Sequence, residues 1–344
     1  LKLETKSSLK KILIIQTAFI GDVILVTPII ERLRVLYPEA AIDFMLRKGN
    51  EGLLKGHPYI NKLIIWDKKQ GKYSSLFKLW KEIKAEKYDV VINLQRFGAT
   101  GLLTALSGAK IKVGFDKNPF SFAYTYKVKH QLSNGKHEVD RNLDLLSVAC
   151  FQLPDNDQRT TVNEIKLYPS DSDYTSVLDY KIEPYICIAP TSVWFTKQYP
   201  PSKWVELLDN LDTKYKVYLL GAPGDNEACD AIITASTNKS VENLAGKLNF
   251  LQSAALMKDA VMNYVNDSAP MHVASAMNAP TTAIFCSTIL AFGFGPLADN
   301  SKVVETNIDL ACRPCGLHGH KACPEGHFKC AYTIEVQDLL NRIK

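Results

Sequence analysis

At 344 residues, 46% hydrophobic and 22% charged, the chain has the composition of a globular protein and more length than one ordinary domain uses. Its formal charge of +5 is mild and spread along the chain, which suits anionic small molecules or an anionic surface and argues against nucleic acid. No stretch approaches the ~18 apolar residues that cross a bilayer. The polar start LKLETKSSLK lacks a signal-peptide core, so a cytoplasmic, reducing location is expected. There the scattered Cys150, Cys187, Cys229 and Cys286 read as small core hydrophobes, not disulfide partners.

In chain order, KILIIQT (11–17) reads as a buried strand and 22–37 as one amphipathic helix. AIDFMLR, KLIIWD, YDVVINL and KIKVGFD are further strands, with helical pattern between most of them, as in SLFKLWKEIKAE. A last helix spans 137–152. Strands that are apolar throughout, not alternating, belong to a parallel sheet covered on both faces, hence a doubly wound, Rossmann-like half. The stretch from Leu153 to about Ser170, rich in Pro, Asp, Asn and Thr, marks a boundary. The pattern then restarts. YICIAP, KVYLLGA, DAVMNYVND and TTAIFC are strands, helices fall near 201–211, 224–236, 250–258 and 269–277, and 331–344 closes as an amphipathic helix. The expected organisation is 1–165, 166–330 and a C-terminal helix 331–344 lying back on the first half. Two Rossmann-like α/β halves are expected to face each other across a cleft.

The first strand–helix turn narrows the ligand. A dinucleotide fold would carry G-x-G-x-x-G there, but QTAFIGDVILVTP has Gly21 alone, and no G-x-x-x-x-G-K-[ST] occurs anywhere. In place of glycines stands Asp22, at the carboxyl end of the first strand, where open parallel sheets bind ligands. Alone it reads as a helix N-terminal carboxylate; at that place it can also take a proton from an attacking hydroxyl. In the second half, TSVWFTKQYPPSKW carries Lys197, singly an ordinary surface lysine. NDSAPMHVASA opens a helix whose first amides suit phosphate oxygens, although Asp267–Ser268 alone would be a cap.

Taken together, these turns resemble glycosyltransferase family 9, the lipopolysaccharide heptosyltransferases. The motifs are GDVILVTP (21–28), HEVDRNLDLL (137–146), TKQYPPSKW (196–204), LLGAPGDNE (219–227) and NDSAPMHVASAMNAP (266–280), with the spaced cysteines of CRPC…CPEGHFKC. The resemblance implies a GT-B fold and heptose transfer from ADP-L-glycero-D-manno-heptose to a Kdo or heptose of the lipopolysaccharide inner core. It implies an ADP-sugar donor, a lipid-linked saccharide acceptor at the inner membrane surface, peripheral docking there, and no nucleic acid. Residue by residue, Asp22 would be the base and Lys197 would neutralise the leaving diphosphate beside Thr191 and Ser192. Asp225 would sit near the ribose, Leu248 near the adenine, and Ser268, Ala269 and His272 on the pyrophosphate, with Asp267 ordering their turn. Arg96, His137 and Arg141 would meet an anionic acceptor.

Ala269 stands where the family has glycine, so a positive-φ turn there would be strained; Tyr199 replaces a tryptophan, and Pro190-Thr191 a Pro-Gly. The chemistry must stabilise a cationic sugar and an anionic diphosphate. A lysine and helix amides do so without the Asp-x-Asp pair that holds a divalent ion, so an inverting, metal-independent single displacement is expected. Apart from this stand Cys312, Cys315, Cys323 and Cys330 among three histidines, spaced loosely for a structural zinc and equally readable as free thiols or a disulfide. Three other functions stay open: another nucleotide-sugar enzyme such as a 2-epimerase, a non-catalytic nucleotide-sugar binder, and a cysteine-based adaptor.

Overall fold

The computed structural model describes residues 9–69, 71–132, 135–147 and 164–343. Two units emerge, one running to Tyr168 and the other beginning at Pro169. Much of the expected boundary stretch, the end of helix 137–152 and Cys150 lie outside the described residues.

The first unit runs β1 (Lys11–Ile15), α1 (Ile20–Ile24), α2 (Thr27–Leu36), β2 (Ala41–Arg47), β3 (Ile60–Trp66), α3 (Lys72–Glu86), β4 (Val90–Asn93), α4 (Gly98–Leu106), β5 (Ile111–Phe115), β6 (Tyr126–Val128) and α5 (Glu138–Ser147). Its strands pair in parallel in the order β3-β2-β1-β4-β5-β6. Ile12 to Ile15 and Val90 to Ile92 are fully buried, as a sheet covered on both faces requires. Leu79 and Ile83 of α3 lie on one face with Trp66, Tyr88 and Leu103.

The single helix expected over 22–37 is two. Pro28 sits in the first turn of α2, and a proline ring clashes with the carbonyl four residues back, here that of Ile24. The chain breaks before it, and the Thr27 hydroxyl donates to the freed Ile24 carbonyl at 2.8 Å. Buried Asn142 of α5 donates to the Leu25 carbonyl at 3.3 Å. The break is thereby satisfied and α5 is tied to the turn that carries Asp22.

The second unit runs α6 (Asp171–Thr175), β7 (Tyr185–Ala189), α7 (Pro201–Asn210), β8 (Lys216–Leu219), α8 (Asn226–Ala235), β9 (Val241–Asn243), α9 (Phe250–Lys258), β10 (Met262–Asn266), α10 (Ala269–Ala276), β11 (Thr281–Phe285), β12 (Ser301–Glu305), α11 (Lys329–Tyr332) and α12 (Val336–Leu340). Its parallel order, β12-β11-β10-β7-β8-β9, repeats that of the first unit. In each sheet the chain starts at a central strand, builds to one edge, then returns to build the other. The switch points, where such sheets bind ligands, lie between β1 and β4 and between β7 and β10.

The closing segment 331–344 is not the single helix expected. It is two short helices, and Ile334, Val336 and Leu339 enter the core of the second unit with Trp204 and Leu207 of α7. The Tyr264 and Tyr199 hydroxyls hold it there, donating to the carbonyls of Leu339 and Ile334, both at 2.9 Å. Sequence patterning singled out neither β6 and β9, three residues each, nor β12. All three are edge strands, whose side chains need no continuous apolar run.

Candidate active site

Asp22 sits in α1, at the carboxyl end of β1, and its Oδ2 accepts from the Phe19 N–H at 3.1 Å. The bond orders the turn from within. Arg96 follows β4 across the switch point, and the carboxamides of Gln16 and Gln95 bridge the two strand ends. Arg141 is 3% exposed; its Nε donates to Glu138 Oε2 at 2.7 Å and its Nη1 to the Lys136 carbonyl at 2.6 Å. Burial pushes the Glu138 carboxyl above its ordinary value, Arg141 and Arg96 pull it back, and Asp22 pushes it up again. Asp22, Arg96 and Arg141 are therefore close enough to feel one group. His137 immediately precedes α5, its Nδ1 accepting from the Val139 N–H at 3.2 Å.

Three residues of this end escaped the sequence reading. Arg47, at the end of β2, lies 4.9 Å from the Phe19 ring centroid. Lys68, after β3, donates to the Thr17 carbonyl at 3.0 Å, and burial, then Arg47, lowers its pKa. Glu138 is the third. The available signal was their place: Arg47 ends β2, Lys68 follows the end of β3, and Glu138 begins the helix after the sheet.

In the second unit the lysine turn follows β7. Lys197 Nζ meets Asp267 Oδ2 at 2.7 Å, with side chains 15% and 8% exposed. The Thr288 hydroxyl donates to the same Oδ2 at 2.6 Å. Asp267 thus orders Lys197 as well as its own turn, a pairing that spacing alone did not suggest. Buried Asn266 also went unread: its Nδ2 donates to the Pro190 carbonyl at 2.9 Å, and its Oδ1 accepts from the Tyr199 N–H at 2.8 Å. It pins both ends of the loop that holds Thr191 and Ser192. The Ser192 carbonyl accepts from Gln198 Nε2 at 2.6 Å. Tyr199 is a buried anchor, edge-on to Trp204 at 5.2 Å.

Ser268 precedes α10 in extended backbone, and its side chain makes no cap bond. Ala269 is the first helical residue, outside the positive-φ set, so the strain expected there is absent. His272 is buried in that helix. Asp225, after β8, accepts from the Ala222 N–H at 2.7 Å. Gly246, at φ +75, packs on Pro223 and donates to the Gly221 carbonyl at 2.9 Å. The loop carrying half-buried Leu248 so lies on the Asp225 turn.

Cys312, Cys315, Cys323 and Cys330 carry free thiols. Burial first, then the neighbouring thiols, pushes Cys330 up to about 11. Among the described residues no three His, Cys, Asp or Glu side chains converge to hold an ion; Cys312 Sγ and His327 Nε2 stand 4.0 Å apart. The four cysteines nonetheless share one neighbourhood, since Cys312 and Cys323 act electrostatically on both Cys315 and Cys330. Among those residues, too, no helix is long and apolar enough to cross a membrane.

The acidic turn of the first unit, and the lysine pair and helix start of the second, each lie on the carboxyl side of their own sheet, beside its switch point, where open parallel sheets bind ligands. The family model for glycosyltransferase family 9 (heptosyltransferase) matches residues 76–326, and the molecule is a glycosyltransferase. Lipopolysaccharide heptosyltransferase 3 of Escherichia coli is 30% identical over 78% of this chain and 82% of its own. The glycosyltransferase family 9 structure from Veillonella parvula superposes with a TM-score of 0.83 at 23% identity, covering 98% of this chain and 96% of that one. E. coli ADP-heptose heptosyltransferase II gives 0.76 at 22%, covering 96% and 97%. The chain belongs to glycosyltransferase family 9, and its fold is the α/β GT-B class expected.

Proposed function

We propose that this glycosyltransferase moves a heptose from ADP-L-glycero-D-manno-heptose to a Kdo or heptose of the lipopolysaccharide inner core, by an inverting single displacement that needs no metal. The observation that carries this reading is the Lys197–Asp267–Thr288 chain beside the start of α10. An ammonium with three donors can keep Asp267 and still reach a diphosphate oxygen, so leaving charge meets a fixed cation. Thr191, Ser192, Ser268, Ala269 and His272 border that position, with Asp225 and Leu248 toward the nucleoside. The names of the relatives support the donor and acceptor classes.

Asp22 acts as the base on the acceptor hydroxyl, its orientation set by the Phe19 amide. Arg96 and Arg141, joined by Arg47 and Lys68, present positive charge to an anionic acceptor, and His137, its Nδ1 already accepting from Val139, offers its other ring nitrogen as a donor. Calorimetric titration with ADP, UDP, GDP and NAD tests the donor class: selective ADP binding is expected, and tight UDP binding with none of ADP would refute it.

The acceptor is lipid-linked, so the enzyme docks peripherally on the inner membrane. Phe97 and Phe122 are 67% and 77% exposed beside Arg96 and Lys117, and Asn118 ties their loops, donating to the carbonyls of Gln95 at 2.8 Å and Phe97 at 3.1 Å. Aromatic tips among cations suit an anionic lipid surface. Co-sedimentation with phosphatidylglycerol vesicles should weaken in Phe122→Ser; equal binding by that variant counts against this face.

A further inference from the structure

The cysteine-bearing segment 312–328 has no part in the chemistry above, yet it is bonded to both loops that carry it. Arg313 donates from Nε to the Cys286 carbonyl at 2.8 Å and from Nη2 to the Thr288 carbonyl at 2.8 Å. The Cys315 N–H donates to the Ser287 carbonyl at 2.8 Å. The segment thereby grips residues 286–288, and Thr288 holds Asp267. Further along, the His320 N–H donates to Thr196 Oγ1 at 2.8 Å, and the Thr196 N–H donates to the His320 carbonyl at 3.1 Å. Ser287 Oγ reaches the same Thr196 hydroxyl at 3.1 Å. Thr196 is 1% exposed and immediately precedes Lys197.

Gly319 sets the closeness of this approach. At φ +77 it lies where a Cβ would meet Thr196 Oγ1 at 2.9 Å and Lys197 Cγ at 3.0 Å. The segment thus rests on the aliphatic stem of the lysine. Phe195 and Phe328 complete the contact with ring centroids 4.9 Å apart. The lysine turn is a single 3-10 turn over Phe195–Lys197, too short to hold its own orientation.

We propose that the 312–328 segment is a positioning strap for the donor site, with Thr196 as the junction through which it aims Lys197 and Gly319 as the surface on which the lysine stem lies. The inference rests on Lys197 handling the donor diphosphate. A displacement of ~1 Å in such a group reduces turnover by up to about a hundredfold, which gives the strap functional weight beyond stability.

The test compares Thr196→Val, Thr196→Ser and Gly319→Ala with wild type and Lys197→Ala, reading ADP affinity by calorimetry, donor KM and kcat, and melting temperature. Thr196→Val removes the hydroxyl that joins Ser287 to His320 and is expected to lower donor kcat/KM by about tenfold or more, with both KM and kcat affected. Thr196→Ser keeps the hydroxyl and should stay within about twofold of wild type. Gly319→Ala, whose methyl presses on the lysine stem, should weaken ADP binding and turnover with the Thr196 hydroxyl intact, so the inference survives a failure of the valine variant to fold. If folded Thr196→Val and Gly319→Ala retain wild-type donor kinetics, or Thr196→Ser fails as badly as valine, the strap is only structural. Should Lys197→Ala itself bind ADP and turn over normally, the donor-site reading falls and the strap with it. Impairment by Lys197→Ala alone overturns the strap and leaves that reading standing.

Discussion

Replacing Lys197 with alanine withdraws the cation from an Asp267 carboxylate that is 8% exposed and keeps only hydrogen-bond donors such as Thr288. Removing one partner of a buried pair destabilises by about 3–5 kcal/mol. Because the lysine is itself 15% exposed, water can reach the gap, and the lower end, ~3 kcal/mol, is the expectation. At about 2–4 °C per kcal/mol for a unit of this size, the melting temperature should drop by roughly 6–12 °C. ADP affinity and turnover should fall with it. Lys197→Met combined with Asp267→Asn fills similar space without charge and should regain most of the stability while transfer stays lost. Circular-dichroism melts, ADP calorimetry and donor kinetics on both variants separate the two roles. Melting of Lys197→Ala within about 1 °C of wild type, with unchanged kinetics, would refute the reasoning and return Lys197 to the ordinary surface.

Asp22→Asn keeps the shape of the turn and removes the base, so transfer should fall at least ~100-fold while ADP affinity stays near wild type; turnover within a few-fold of wild type would disprove the assignment. A pH series probes His130, which is 4% exposed. Burial first, then Arg96, Arg141 and Lys117, pushes its imidazole down from 6.5 to about 4, against a smaller upward push from Asp116. The folded form is neutral where the unfolded chain would already be protonated. Its stability contribution is therefore full above pH 6.5 and is lost as pH falls from 6.5 toward 4, by up to ~3 kcal/mol. His130→Leu should flatten the dependence of melting temperature between pH 7 and pH 5, and an unaltered slope would place the acid sensitivity elsewhere, for instance at His57, whose pKa burial also lowers to about 4.

The residues legible in the sequence are those whose meaning is local. Asp22, Lys197 and Asp267 stand at the ends of apolar strands, and the strand is readable from its own few residues. Helix 22–37 was misread although Pro28 was in plain view, because the apolar periodicity runs through the break. The Lys197–Asp267 pair, the Asn266 bonds to the 190–199 loop and the contact of His320 with Thr196 join residues far apart in the chain. No pattern within one window encodes them. The cysteines are legible only as a spacing, open to a metal or to free thiols; that Cys330 packs in the core and that Cys312, Cys315 and Cys323 lie in a segment fastened by backbone bonds is not written in it. The closing helices followed their apolar residues to the nearest complementary face, that of α7, which composition alone does not locate.

The repeated strand order has a consequence for how such an enzyme diversifies. The turn after the first strand of each sheet occupies the same topological place, yet one copy presents a carboxylate and the other an ammonium. Each half keeps its own core, so the loops of one can change without repacking the other. Under the proposed assignment of acceptor to the first unit and donor to the second, preference for a nucleotide and preference for an acceptor are separable traits, open to independent drift and to exchange between relatives. A chimera carrying this chain's residues up to Tyr168 and a relative's second unit should keep its acceptor and adopt the relative's donor.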